Sequence, residues 1–291
     1  MLSADEARQL ERLALGSSSP AAAASSGLRH ARARGFGLEF HDFRHYQPGD
    51  DPRSIDWNVE ARLRQLVVRV FRAEGQLQLH LLVDISRSMT TGTPEKLECA
   101  RKLAAALCYV AVERRDAVGV ATFDETIRNY VKPAAGRSQI FKVFDTLRAP
   151  QPGNCSAINR ALLDYGGAVR GPGLAVVLSD FYHPDGALDG LRYLLHRGLT
   201  PAIVHIVSDE ELQPGIVDEA ELVDIEDASG APLVVDATAV VAYQDRLARM
   251  SAELEAFCLS RSLPWLRVAS STSFQSLVKA CQQAGLLTRR V

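Results

Sequence analysis

A chain of 291 residues with 47% apolar and 23% charged side chains has enough apolar surface to bury a full core, as one large domain or one domain with a small appendage. Its formal charge of −2 excludes a protein built mainly on attraction to a phosphate backbone, although His30 to Arg34 and Arg62 to Arg72 are locally basic, so no nucleic acid is expected as a partner. Five scattered cysteines, Cys99, Cys108, Cys155, Cys258 and Cys281, form no C-x-x-C pair, which excludes a disulfide framework or zinc site and leads us to expect a reduced, cytoplasmic setting.

Ser3-Ala-Asp-Glu6 is a capping-box pattern that opens a helix to about Leu15, with Leu10, Leu13 and Ala14 on one side. Gly16 to Gly27 offers small residues with little to bury, so residues 1–34 read as a helix on a flexible linker, free to dock on the body or on a partner. The charged N-terminus lacks the apolar core of a signal peptide, and no run of about 18 residues is apolar enough to span a membrane. Residues 35–76 are dense in charges, aromatics and turn formers without a helical period, and read as a β-rich extension. Within it, Leu66 to Phe71 is strand-like, as is Leu77 to Val83 beyond it; the short connection predicts a hairpin feeding a central strand.

From residue 77 to 291 strands and helices alternate. Helices are expected over 93–115, 138–147, 159–170, 188–196, 242–261 and after Thr272-Ser-Phe-Gln275; strands are expected over 117–123 and 174–180, up to Val207, and over 265–269, with a decorating hairpin near 221–235. Such alternation implies a doubly wound, mostly parallel sheet with helices on both faces, binding ligands beyond the carboxyl ends of its strands.

One of those ends carries Asp84-Ile-Ser86-Arg-Ser88. Alternate positions of an extended segment point the same way, so one carboxylate and two hydroxyls converge beyond the strand. Magnesium, or manganese in its place, suits a cluster of neutral oxygens with water-bridged carboxylates. The ordinary alternative is that these residues satisfy backbone groups in a turn.

The spacing resembles the metal-ion-dependent adhesion site of von Willebrand factor A domains. That resemblance implies a von Willebrand factor A-like fold and a metal set of Asp84, Ser86 and Ser88, completed by Ser156 from Gly153-Asn-Cys-Ser-Ala-Ile158 and by Asp180 at the end of Leu174-Ala-Val-Val-Leu-Ser-Asp180. Ser156 stands where the family usually has Thr, and Ala157 where Asp or Asn commonly follows, so the expected affinity is modest.

A second resemblance is closer. Phe40-His-Asp-Phe-Arg-His-Tyr-Gln-Pro-Gly-Asp-Asp-Pro-Arg-Ser-Ile-Asp-Trp57, with Glu60-Ala-Arg62, Val68-Arg-Val-Phe71 and Glu74, is similar to the signature of the bacterial family called domain of unknown function 58. It implies an adaptor or chaperone-like companion of a MoxR-type AAA+ ATPase and its client proteins. The signature residues Arg44, Tyr46, Asp50, Asp51, Arg53, Asp56, Trp57 and Arg62 suit either a structural ion-pair network or a docking surface.

The leading expectation is therefore a non-enzymatic, metal-dependent protein-interaction module with no catalytic residues. Two alternatives stay open: a metal-dependent hydrolase using the same ion, and a scaffold whose metal site is vestigial. A phosphatase of the haloacid-dehalogenase type would want an Asp where Ser86 stands, and the chain has no Walker-type loop, His-Glu-x-x-His or nucleophile elbow. His183, close behind Asp180, is a surface-loop histidine before it is a catalytic one.

Overall fold

Leu79, Leu81, Leu82 and Val83 are all fully buried although they alternate between two faces of one strand, and a strand apolar on both faces needs a layer of helices on each side. The computed structural model, which describes residues 2–16, 39–46, 55–72, 77–148, 153, 155–183, 185–215, 220–222 and 233–289, supplies both layers. The chain forms two compact units, one of residues 1–22 with 77–291 and one of residues 23–76.

In the larger unit, helix α1 (Ala4–Leu10) has the complete Ser3/Glu6 capping box. It stops before Leu15 because Leu13–Leu15 forms strand β1, paired antiparallel with the C-terminal residues Leu287–Arg289. Leu10, Leu13 and Leu15 join the core, and Glu6 bonds Lys102 at 2.5 Å, so the N-terminal segment is docked on this unit. The linker beyond Gly16 lies outside the described residues.

In the smaller unit, β2 (Glu39–His45) pairs antiparallel with β3 (Val67–Arg72), with a bulge between Phe40 and Asp42. Helix α2 (Trp57–Leu63) lies between them in sequence. The signature segment showed no helical period, yet Asp56 Oδ1 accepts the Asn58 and Val59 N–H groups at 2.9 and 3.3 Å, and Arg64 ends the helix in a left-handed conformation. The expected hairpin of Leu66–Phe71 with the central strand does not form. β3 takes β2 as its partner, while both edges of β4 (Gln78–Asp84) are filled by parallel neighbours.

Those neighbours belong to a six-stranded sheet. After α3 (Lys96–Glu113) come β5 (Ala117–Phe123), β6 (Ile127–Ala134), α4 (Ser138–Arg148), α5 (Ile158–Ala168), β7 (Gly173–Ser179), α6 (Leu188–His196), β8 (Leu199–Val207), the one-turn α7 (Asp209–Leu212), the strand pair β9 (Ala220–Leu222) and β10 (Leu233–Val235), α8 (Ala237–Leu259), β11 (Trp265–Ala269), α9 (Phe274–Gln283) and β12 (Leu287–Arg289). The sheet order is β11-β8-β7-β4-β5-β6, parallel throughout except for β6. This is the doubly wound, von Willebrand factor A-like arrangement.

Leu79, Leu81 and Val83 pack with α3, α4 and α9 on one face; Leu82, Ala121 and Val177 pack with α5, α6 and α8 on the other. His80 shares the second face and bonds Tyr165 Oη at 2.8 Å; burial pushes its imidazole down to about 4, so it is neutral there. The sheet winds outward from β4 in one direction and from β7 in the other. Their carboxyl ends therefore open the crevice where such folds bind ligands. No helix among the described residues is long and apolar enough to cross a membrane.

Candidate functional site

β4 delivers Asp84 to that crevice with its side chain fully buried. Asp84 Oδ1 accepts the Ser86 N–H at 2.9 Å, a local turn that carries the chain off the sheet end. Oδ2 accepts the Ser179 hydroxyl at 2.7 Å and the Ser156 hydroxyl at 3.2 Å. Ser86 Oγ lies 3.1 Å from Ser88 Oγ. Asp84, Ser86 and Ser88, neighbours in the chain, thus form one hydrogen-bonded cluster with the distant Ser156, in which Ser88 is half-buried and the other three are buried.

Asp180, the fifth expected residue, follows β7 and is held differently. Its Oδ1 accepts the Tyr182 N–H at 3.1 Å and its Oδ2 accepts the Lys96 ammonium at 2.7 Å. Asp180 is close enough to act on Asp84: burial first, and then the Asp180 charge, push the Asp84 carboxyl up to about 7, against the hydrogen bonds from Ser179 and Ser86. All three donors to Asp84 are neutral, whereas Asp180 has a cation of its own.

That cation is the first residue of α3. Lys96 is fully buried and also bonds Glu211, whose Oε2 takes the Ser208 N–H at 2.8 Å in the capping box of α7. Burial works against its charge, but Asp180 and Glu211 outweigh burial and hold the ammonium above its ordinary range.

A second buried acid, Asp124 after β5, shapes the Ser156 loop. It accepts Arg128 Nε at 2.7 and 2.8 Å, and its carbonyl accepts the Ala157 N–H at 3.1 Å. On the same loop the Gly153 N–H donates to the Ile85 carbonyl at 2.7 Å, and a Cβ at position 153 would overlap Asp124 Oδ2. Gly153→Ala is therefore expected to cost about 1–3 kcal/mol in chemical denaturation and to displace Ser156, which a loss of manganese affinity in calorimetry would report.

Ser179, Lys96, Glu211 and Asp124 escaped the sequence reading. A partial signal exists for two of them. Lys96 is a cation in the first turn of a helix, the end its dipole disfavours, and Asp124 closes β5 as Asp84 closes β4. His183 stays within its own turn, its Nδ1 accepting the Asp185 N–H at 3.2 Å. Of the signature residues, Asp56 is the buried cap of α2, Tyr46 is half-buried, and Trp57 and Arg62 are exposed. Asp50, Asp51, Arg53, Glu74 and the side chain of Arg44 lie outside the described residues.

A divalent ion can be tested against these donors. Among the described residues no three His, Cys, Asp or Glu side chains cluster as metal ligands. The donors around Asp84 are hydroxyls, and they surround a buried carboxylate whose hydrogen-bonding partners carry no charge. A hard cation that keeps several waters fits such a set; a soft one does not.

The profile of the family described as "Protein of unknown function DUF58" matches residues 42–253. Similar curated proteins include Uncharacterized protein Mb1516 of Mycobacterium bovis and Uncharacterized protein Rv1480 of Mycobacterium tuberculosis, each 31% identical over 197 residues. The matched stretch is 66% of this chain and 60% of either relative, so the chain spans less than two thirds of their length. Similar solved structures include conserved hypothetical protein BatB from Bacteroides thetaiotaomicron, at 16% identity, 72% coverage of this chain, 98% of that chain and a TM-score of 0.45. An aerotolerance-related membrane protein from Bacteroides fragilis has 18% identity, covers 71% and 99% of the two chains, and has the same TM-score of 0.45.

Proposed function

The chain belongs to the DUF58 family, and from that premise and the Asp84 cluster we propose that it is a non-enzymatic, metal-dependent protein-interaction module, an adaptor for a MoxR-type AAA+ ATPase in the cytoplasm. Ser86, Ser88 and Ser156 would hold magnesium or manganese, with Asp84 and Asp180 supplying the formal charge. When bound, the ion offers a positive centre to a partner's carboxylate. The observation that supports this most directly is a buried carboxylate beside a second one, fed only by neutral donors and ringed by hydroxyls. The chain's own residues prepare that place: Ser179 and the Ser86 N–H orient Asp84, and Asp124 and Gly153 set the Ser156 loop.

Calorimetry with manganese tests the site. Wild type is expected to bind and Asp84→Ala not to; equal affinities would sink the assignment. Pull-down with the cognate ATPase tests the partnership. Binding should weaken with a chelator and with Ser86→Ala combined with Ser88→Ala, without loss of fold. If it survives both changes and fails when Trp57, 60% exposed on α2, is replaced, the signature segment carries recognition instead. The hydrolase alternative gains no support from His183, whose hydrogen bond is to its own turn.

A further inference from the structure

We infer that Lys96 is a built-in counter-cation that keeps the Asp180 carboxylate occupied and thereby sets how strongly the Asp84 cluster takes a divalent ion. This rests on the metal-binding reading above. Lys96 is fully buried at the start of α3, where the helix dipole opposes a positive charge, so the position is tolerable only because acids face it. Its ammonium reaches Asp180 Oδ2 at 2.7 Å and also bonds Glu211, joining the end of β7 to α7. With Oδ1 taken by the Tyr182 N–H, both Asp180 oxygens are engaged, although Asp180 lies near enough to Asp84 for their charges to interact. An ion entering the Asp84 cluster therefore meets one carboxylate free of cations and one already neutralised, with a fixed positive charge behind it. Lys96 acts through Asp180 and is a positioning residue.

The test uses the full chain, manganese as probe, calorimetry for affinity, and melting in manganese or chelator. Lys96→Met keeps the volume and removes the charge. It should melt below wild type in chelator, gain more from manganese, and bind manganese about tenfold or more tightly, since a like charge a few ångströms away is worth at least that in a partly buried site. Lys96→Arg, which retains the charge, should bind no more tightly than wild type. Should Lys96→Met fail to fold, the double variant Lys96→Met with Glu211→Gln loses one positive and one negative charge, leaving the formal charge of the site unchanged. Tighter binding there can only come from the freed Asp180. If wild type does not bind manganese while a Lys96 variant does, the inference holds and the metal-dependent function fails. If wild type binds and the charge-removing variants bind equally or more weakly, the inference is overturned and the functional reading stands. If none binds, both fall.

Discussion

Leu82→Asp is expected to abolish cooperative folding of the larger unit. Leu82 is fully buried in β4, opposite Ala121 of β5 and Val177 of β7, and packs under α5 and α6. Removing a buried leucine alone costs about 2–5 kcal/mol, and placing a carboxylate there adds a desolvation penalty of several kcal/mol or forces it to stay protonated. The total rivals the roughly 5–15 kcal/mol that a whole domain has to lose. Because both neighbours of β4 are parallel and covered, the new charge has no solvent face to turn to. Circular dichroism melts decide the matter: a soluble variant melting cooperatively at the wild-type temperature would refute the placement. Leu82→Met, nearly equal in volume, should lose less than about 1.5 kcal/mol.

Asp84→Asn is expected to raise stability at pH 8 in chelator and to remove the response to manganese. Asp84 has its folded-state value raised from 3.8 to about 7, by burial and then by the Asp180 charge. The folded chain therefore holds this proton over a range in which the unfolded chain has released it. The stabilising contribution is complete below about pH 4 and is lost as pH rises through about 7, a change on the order of 4 kcal/mol. An asparagine never ionises, so its unfolding free energy should lack this slope; its amide can donate to the Ser156 or Ser179 hydroxyl, each of which also has acceptor capacity. Manganese favours the carboxylate and should flatten the wild-type slope while leaving the variant untouched. Urea unfolding between pH 5 and 8, with and without the ion, measures both effects. Parallel curves for the two proteins in chelator would show that Asp84 is ionised throughout.

The amino-acid sequence alone carried the alternation of strands and helices, the burial of Leu79 to Val83, and the convergence of Asp84, Ser86 and Ser88, because each depends on periods of two or about 3.6 residues within one segment. The family resemblance extended the cluster to Ser156, which the structure bonds to Asp84 across 72 positions, and named Asp180, which it bonds to a lysine instead. What no local period could state is which partner a buried group meets. Leu13–Leu15 had a helical pattern until β12 offered its edge, and Trp57 begins a helix because the Asp56 carboxylate caps the Asn58 and Val59 N–H groups. Lys96 meets Asp180 at a separation of 84 residues and Glu211 at 115, and Ser179 meets Asp84 at 95. Those pairings follow from the sheet order, since strands that are distant in sequence lie side by side and bring their loops to one edge. A side chain's periodicity reports the face it turns inward, and only the assembled sheet supplies the charge or hydroxyl waiting there.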